Sequence, residues 1–167
     1  MRDASKTIQE RVASTHVKDL DIDLDAMAAI SNIFRVSVLF RSTAERKFLS
    51  ENNISFSGFT VLWVLWVWGR KQAFELAEEC GIAKGTLTGI VKTLEKNELA
   101  KAVAHENDKR RKYIEISDKG SQLMAKLFKQ LNDLEIAFTS DLEKSEQQEL
   151  SRMLRIILHT GQEGIRL

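Results

Sequence analysis

Proline does not occur in this chain, and cysteine occurs once. A backbone without proline keeps every N–H donor and leaves helices uninterrupted, so the sequence suits a mainly α-helical fold. With Cys80 alone, no internal disulfide can form. Neither sign of charge dominates: 25 Lys and Arg stand against 24 Asp and Glu, a formal net charge of +1. That balance excludes a general polyanion binder, and any nucleic-acid contact has to come from a local patch such as Lys84, Lys92, Lys96 and Lys109 to Lys112. Long apolar runs are missing too. The strongest, Phe59 to Trp68, falls far short of the roughly 20 residues that span a bilayer, and it reads as a helix buried on all sides. Met1 to Asp19 is polar and lacks the apolar centre of a signal peptide, so the expected location is the cytoplasm, with no membrane partner.

Catalytic constellations are missing from the sequence. His16, His105 and His159 are scattered over a tail, a loop and a terminal helix, and no serine or cysteine sits in a nucleophile motif. No Gly-rich phosphate loop, paired-cysteine spacing or His-x3-His spacing occurs. The expectation is a protein that is not an enzyme and uses no cofactor or metal.

What is present centres on Phe74 to Ile116. Phe74 to Ile82 reads as a short amphipathic helix closed by Gly81, which tolerates the positive φ of a tight turn. A second helix follows from Lys84 to about Asn97. Leu76, Ala77, Cys80, Ile82, Leu87 and Ile90 supply apolar contacts, and Ala77 leaves room for the helices to cross, so the spacing is that of a helix-turn-helix. Cys80, on the inner side of the first helix, reads as a small hydrophobe rather than a redox sensor. At about 100° per residue, Leu87, Ile90, Val91 and Leu94 fall on the core side of the second helix. The opposite side carries Gly85, Thr88, Gly89, Lys92 and Lys96, flanked by Lys84, Thr86 and Thr93. Two glycines on an exposed helical face each cost roughly 1 kcal/mol against alanine. Either a close approach to a partner or drift at tolerant surface positions accounts for them, and this helix is the one free to enter a major groove.

Leu99 to Ala104 and Lys112 to Ser117 then read as two strands, with Tyr113 to Ile116 alternating as a half-buried strand does. His105 to Arg111 between them is a basic hairpin tip, a wing, whose cations suit phosphates or a minor groove. Asp108 can hold Arg110 in position through a charge-assisted pair.

Residues 1–20 read as a flexible or loosely helical extension, followed by one domain over 21–167. An acidic turn, Asp19 to Asp25, favours the start of a long helix over about 24–50. Ser55 or Ser57 can cap the apolar helix that follows. Ser117-Asp118-Lys119 opens a helix to about Leu142, with Leu123, Leu127, Leu131, Leu134 and Phe138 on one stripe. Ser145 to Gln148 reads as a capping box for a last helix that buries Leu150, Leu154, Ile157 and Leu158. A helix of roughly 25 residues is nearly 40 Å long, more than a small domain covers, and a second copy of the chain packed through the first and last helices is the economical partner.

Ala77 to Gly81, Thr86 to Glu95, and Asp108-Lys109-Arg110 followed by Tyr113 to Ser117 together resemble the MarR family of winged-helix transcriptional regulators. The resemblance covers the chain from about Leu24 onward, with the winged helix-turn-helix over about 55–117 and dimerisation helices over about 24–50 and 118–165. Three positions depart from the family pattern. Ala83 stands where a capping serine is common, Glu98 replaces the usual glycine so that Asn97 is expected to turn left-handed, and Ala102 and Val103 occupy strand positions that are often basic.

The resemblance implies sequence-specific binding of double-stranded DNA by a homodimer on a pseudo-palindromic operator, usually as a repressor. The DNA-contacting residues would be Lys84, Gly85, Thr86, Thr88, Gly89, Lys92, Asp108, Lys109, Arg110 and Arg111. It also implies a pocket for a phenolic or aromatic-acid effector, to which Phe40, Arg41, Trp63 and Trp66 correspond by position, although plain core packing is the favoured account of the tryptophans. The alternative is a winged-helix protein-interaction module that binds DNA weakly or not at all.

Overall fold

Helical periodicity sets most of the architecture. The computed structural model describes residues 5–104 and 112–164. Their elements are α1 (Ile8–His16), α2 (Leu24–Ala44), α3 (Phe56–Trp68), β1 (Lys71–Gln72), α4 (Ala73–Glu79), α5 (Lys84–Lys96), β2 (Ala100–Ala104), β3 (Lys112–Ile116), α6 (Asp118–Phe138) and α7 (Lys144–Gln162). The described parts of Ala29–Asn132 form one compact unit, and those of Met1–Ala28 with Asp133–Leu167 form another.

In the first unit α3 is the central element. Ser55 caps it, its hydroxyl oxygen accepting from the Gly58 N–H at 3.1 Å. Glu45, in the single π-turn Glu45–Leu49 that continues α2, accepts a second first-turn donor, the Phe56 N–H, at 2.8 Å. Phe59, Val61, Leu62, Val64 and Leu65 are buried where α3 packs against α4, α5 and β3. The expectation of burial on every side fails at the last turn. Trp66, Val67 and Trp68 are exposed, Trp68 at 57%, because those packing partners cover the earlier turns.

The sheet has the order β1-β3-β2, antiparallel throughout. β2 and β3 pair with Ala102 opposite Ile114, and the Lys101–Glu115 ion pair at 3.0 Å lies across the same register. β1 is two residues long and was not anticipated, since no periodicity can show in so short a strand.

Three helix ends in this unit use one turn geometry. At Asn53, Gly81 and Glu98 the residue after the helix has φ of 53°, 63° and 61°. Each time its N–H and the next one reach back to the closing turn: Gly81 to Glu78 O and Ile82 to Ala77 O, both 3.0 Å; Glu98 to Glu95 O and Leu99 to Leu94 O, both 2.9 Å. This is the paired closure that satisfies orphan carbonyls and brings an apolar residue after the helix onto its last turn. Gly81 adopts it without strain. Against expectation, Glu98 rather than Asn97 is left-handed, with Asn97 at φ −85°. Tertiary contacts hold it there. The Glu98 carbonyl accepts from Ser117 Oγ at 2.6 Å, and its carboxylate pairs with Lys119 at 2.8 Å. The hydrogen bond from Lys119 and its charge hold the Glu98 carboxyl below its ordinary pKa. Left-handed backbone is unfavourable for a residue with a Cβ, and an exposed ion pair offsets little. Glu98→Gly should therefore raise the melting temperature by a few degrees in a calorimetric scan; a lower value would mean that the ion pair outweighs the backbone strain.

In the second unit α1 begins at a reciprocal cap. Glu10 N–H donates to Thr7 Oγ1 at 3.2 Å and Thr7 N–H to Glu10 Oε2 at 2.8 Å. Asp23 accepts from the Asp25 and Ala26 N–H groups at 3.0 and 2.9 Å, which opens α2. The cap of α7 lies at Glu143, two residues before the expected Ser145. Glu146 still reaches back, its Oε2 accepting from the Glu143 N–H at 2.8 Å. Gln147 instead donates to the Thr139 and Leu142 carbonyls, both at 3.2 Å, which closes the end of α6. Leu150, Ile157 and Leu158, expected to be buried, are exposed by 40%, 40% and 64%, and no residue of α7 is buried. One chain supplies too little surface to cover that stripe.

No helix among the described residues is long and apolar enough to cross a membrane.

Candidate nucleic-acid interface

The outward face of α5 has the composition its periodicity foretold. Leu87, Val91 and Leu94 are buried, and Lys84, Gly85, Thr86, Thr88, Gly89, Lys92 and Lys96 are exposed together on the other side. Ala83 begins the helix without a side-chain cap. A Cβ built on Gly85 or Gly89 meets nothing within 4 Å. Packing within the chain therefore requires neither glycine, and both leave the helix backbone bare toward an incoming surface. Thr88 Oγ1 donates to the Lys84 carbonyl at 3.0 Å, and Thr93 Oγ1 donates to the Gly89 carbonyl at 3.0 Å. With its proton engaged, the Thr88 oxygen is turned to solvent as an acceptor, suited to the amino groups of adenine or cytosine in a major groove.

Beside this face, the sheet and α5 enclose a cleft of about 270 Å³ lined by Thr88, Lys92 and Glu95 on the helix and Ala102, Lys112 and Ile114 on the strands. Glu95 was not a sequence candidate. Its carboxylate accepts from the Ala102 N–H at 3.1 Å, a contact that strand periodicity cannot reveal. Arg70 also escaped the reading; its guanidinium lies 4.8 Å from the centre of the Tyr113 ring, which stations a cation against the middle strand of the wing. Asp108, Lys109, Arg110 and Arg111, with His105, lie outside the described residues.

The turn before α5 is held from both sides. Lys71 of β1 pairs with Glu79 at the end of α4 at 2.6 Å. Cys80 is half-buried, and burial, with Glu79 beside it, pushes the thiol up to about 11. It stays protonated at neutral pH and is a poor redox sensor there.

The four residues matched to an effector pocket fall in two groups. Arg41 stands 5.1 Å over the Phe56 ring, and Phe40 meets the same ring edge-on at 6.3 Å. Trp63 and Trp66 lie further along α3, about two and three helical turns on from Phe56, at 6.3 Å from each other. There Phe128 of α6 stacks on Trp63 at 4.8 Å and 15°, and approaches Trp66 at 5.9 Å. Phe128, which was not among the sequence candidates, completes the aromatic cluster. Trp66 and Phe128 each keep 36% of their surface exposed.

Comparison with known proteins agrees with this geometry. The MarR family model matches residues 54–112, from the start of α3 through the helix-turn-helix and β2 to the first residue of β3. An uncharacterised HTH-type transcriptional regulator of Bacillus subtilis (strain 168), YwaE, is 31% identical over 142 residues, 83% of each chain. Among solved structures, reduced AbfR bound to DNA is 26% identical with a TM-score of 0.60, covering 80% of this chain and 91% of that one. The organohalide-sensing regulator RdhR in its 2,4-dichlorophenol-bound form shares the fold, with a TM-score of 0.71 at 19% identity over 94% of this chain and 86% of its own. With the winged helix and its open recognition face already in view, these matches mean that the chain belongs to the MarR family of DNA-binding transcriptional regulators.

Proposed function

We propose that the protein is a homodimeric repressor that binds a pseudo-palindromic operator and is released from it by a small aromatic ligand. The observation that carries the reading is the face of α5, where Lys84, Gly85, Thr86, Thr88, Gly89 and Lys92 are exposed together with no glycine required for packing. In this reading Thr88 and Lys92 meet base edges and Lys84 meets phosphate, while Gly85, Thr86 and Gly89 let the helix backbone approach. The family resemblance adds Asp108, Lys109, Arg110 and Arg111 to the proposed DNA contacts. Two such helices, related by two-fold symmetry, read two half-sites. The exposed apolar residues of α2, Phe34 and Val38 among them, support the dimer, as does the uncovered stripe of α7. For the effector, Trp63, Trp66 and Phe128 offer partly open aromatic faces. The relative bound to 2,4-dichlorophenol supplies an analogy for the ligand class.

Selection of bound fragments from random duplex DNA tests the reading, because a sequence-specific dimer enriches inverted repeats. On the selected duplex Lys92→Ala should lose roughly tenfold or more in affinity while changing little on random DNA, since one good base contact is worth about 1–3 kcal/mol. A uniform loss on both duplexes would make Lys92 a phosphate contact. Absence of any salt-dependent binding would favour a protein-interaction module instead.

A further inference from the structure

We propose that Glu95 is a positioning residue for DNA recognition. Its carboxylate ties the end of the recognition helix to the edge strand of the wing, and so fixes the spacing of the two elements that meet DNA. The inference rests on the DNA-binding reading of α5 and the wing.

The chain between α5 and β2 is short, running only through Asn97, Glu98 and Leu99. The left-handed turn at Glu98 makes one rigid joint there, but two elements joined at one point can still pivot about it. Glu95 supplies the second point. β2 is an edge of the sheet. Its Ala102 N–H points away from β3 and donates to Glu95 Oε1 at 3.1 Å, so the contact uses an edge donor that the sheet leaves unpaired. Where the carboxylate sits adds to the case. It lines the same cleft as Thr88, Lys92 and Lys112, on the surface read as facing DNA, where a negative charge by itself opposes binding. Charge complementarity offers no reason for a glutamate at this position, whereas the strap to Ala102 does.

The test compares the parent protein with Glu95→Ala, Glu95→Gln, Ala102→Pro and the Glu95→Ala/Ala102→Pro pair. It measures affinity for the selected duplex, melting temperature and hydrogen exchange at the Ala102 amide. Glu95→Ala should weaken binding roughly tenfold, the order of one lost hydrogen bond to a charged group. It should also speed exchange at Ala102 and leave the melting temperature within a few degrees of the parent. Glu95→Gln keeps the acceptor and removes the charge, so it should bind at least as tightly as the parent. Ala102→Pro removes the donor without breaking a ladder bond, because that N–H faces away from β3. It should reproduce the loss in Glu95→Ala, and the pair should be no weaker than either single variant. Tighter binding by both Glu95 variants would reduce the residue to a repulsive surface charge and overturn the proposal, as would fully additive losses in the pair. If the parent binds no duplex, the DNA-binding reading has failed independently. Amide exchange still reports the strap in that case, and Glu95 loses its assigned role.

Discussion

Gly120→Ala is expected to lower the stability of the protein by about 3 kcal/mol, the upper part of the range for a side chain forced into filled space. A Cβ at this position would lie 2.1 Å from the Leu99 carbonyl oxygen and 2.8 Å from Ile116 Cγ1. The first of these atoms is backbone, and it is already committed. It accepts from the Ser117 N–H at 3.0 Å, while Ser117 Oγ accepts from the Gly120 N–H at 2.9 Å and donates to the Glu98 carbonyl at 2.6 Å. The start of α6 thus presses on the joint between the recognition helix and the wing. Moving it disturbs a helix cap, a turn and a strand at once. For a chain of this size the loss corresponds to a fall of roughly 6–12 °C in melting temperature. A fall of less than two degrees would show that α6 can retreat from Leu99 freely, and that the contact is not close-packed.

Ile157→Asp is expected to leave the chain folded and remove its DNA binding. Leu150, Met153, Ile156, Ile157 and Leu158 are all exposed on α7, a stripe sustained over more than two turns with polar residues between. An aspartate there costs the isolated chain little, because it displaces nothing buried. At the centre of the proposed apolar dimer contact it places an unpaired charge, and breaking that dimer would forfeit the gain from two linked half-sites, roughly 10²-fold or more in affinity. Sedimentation should show a monomer with an unchanged helical circular dichroism spectrum, and the selected duplex should no longer shift. A variant that stays dimeric would move the interface away from α7. A monomer that binds the full site as before would refute two-fold reading of the operator.

Much of the fold was legible because amphipathic elements declare their faces. Leu87, Val91 and Leu94 recur at helical spacing, and all three are buried; Gly81 forms the left-handed turn its position called for. The outward set on α5 follows from the same rotation of about 100° per residue. Where the pattern carries no contrast, the reading failed. α3 is apolar at nearly every position, so nothing in its sequence distinguishes buried Leu65 from exposed Trp68. Intrinsic preference misled at Asn97 and Glu98. Asparagine tolerates the left-handed region better, but Ser117 and Lys119, some twenty residues on, hold the backbone and side chain of Glu98. The α7 cap lies at Glu143 rather than Ser145, and there Glu146 rather than Gln148 reaches back to the cap N–H. The contacts of Glu95 and Gly120 went unread because they depend on partners in other elements, and a single sequence gives the residue without its neighbour.

The bare backbone at Gly85 and Gly89 has a consequence for how this protein can change. Alanine fits at either position without touching another atom, and in a helix interior it is better than glycine by roughly 1 kcal/mol. Folding alone therefore favours replacing both. In the proposed DNA-binding reading their presence marks stability surrendered for access, and the two positions are where robustness and recognition pull against each other. A screen for heat resistance that ignored DNA would reach them early, and it would return a sturdier molecule less able to read its sequence.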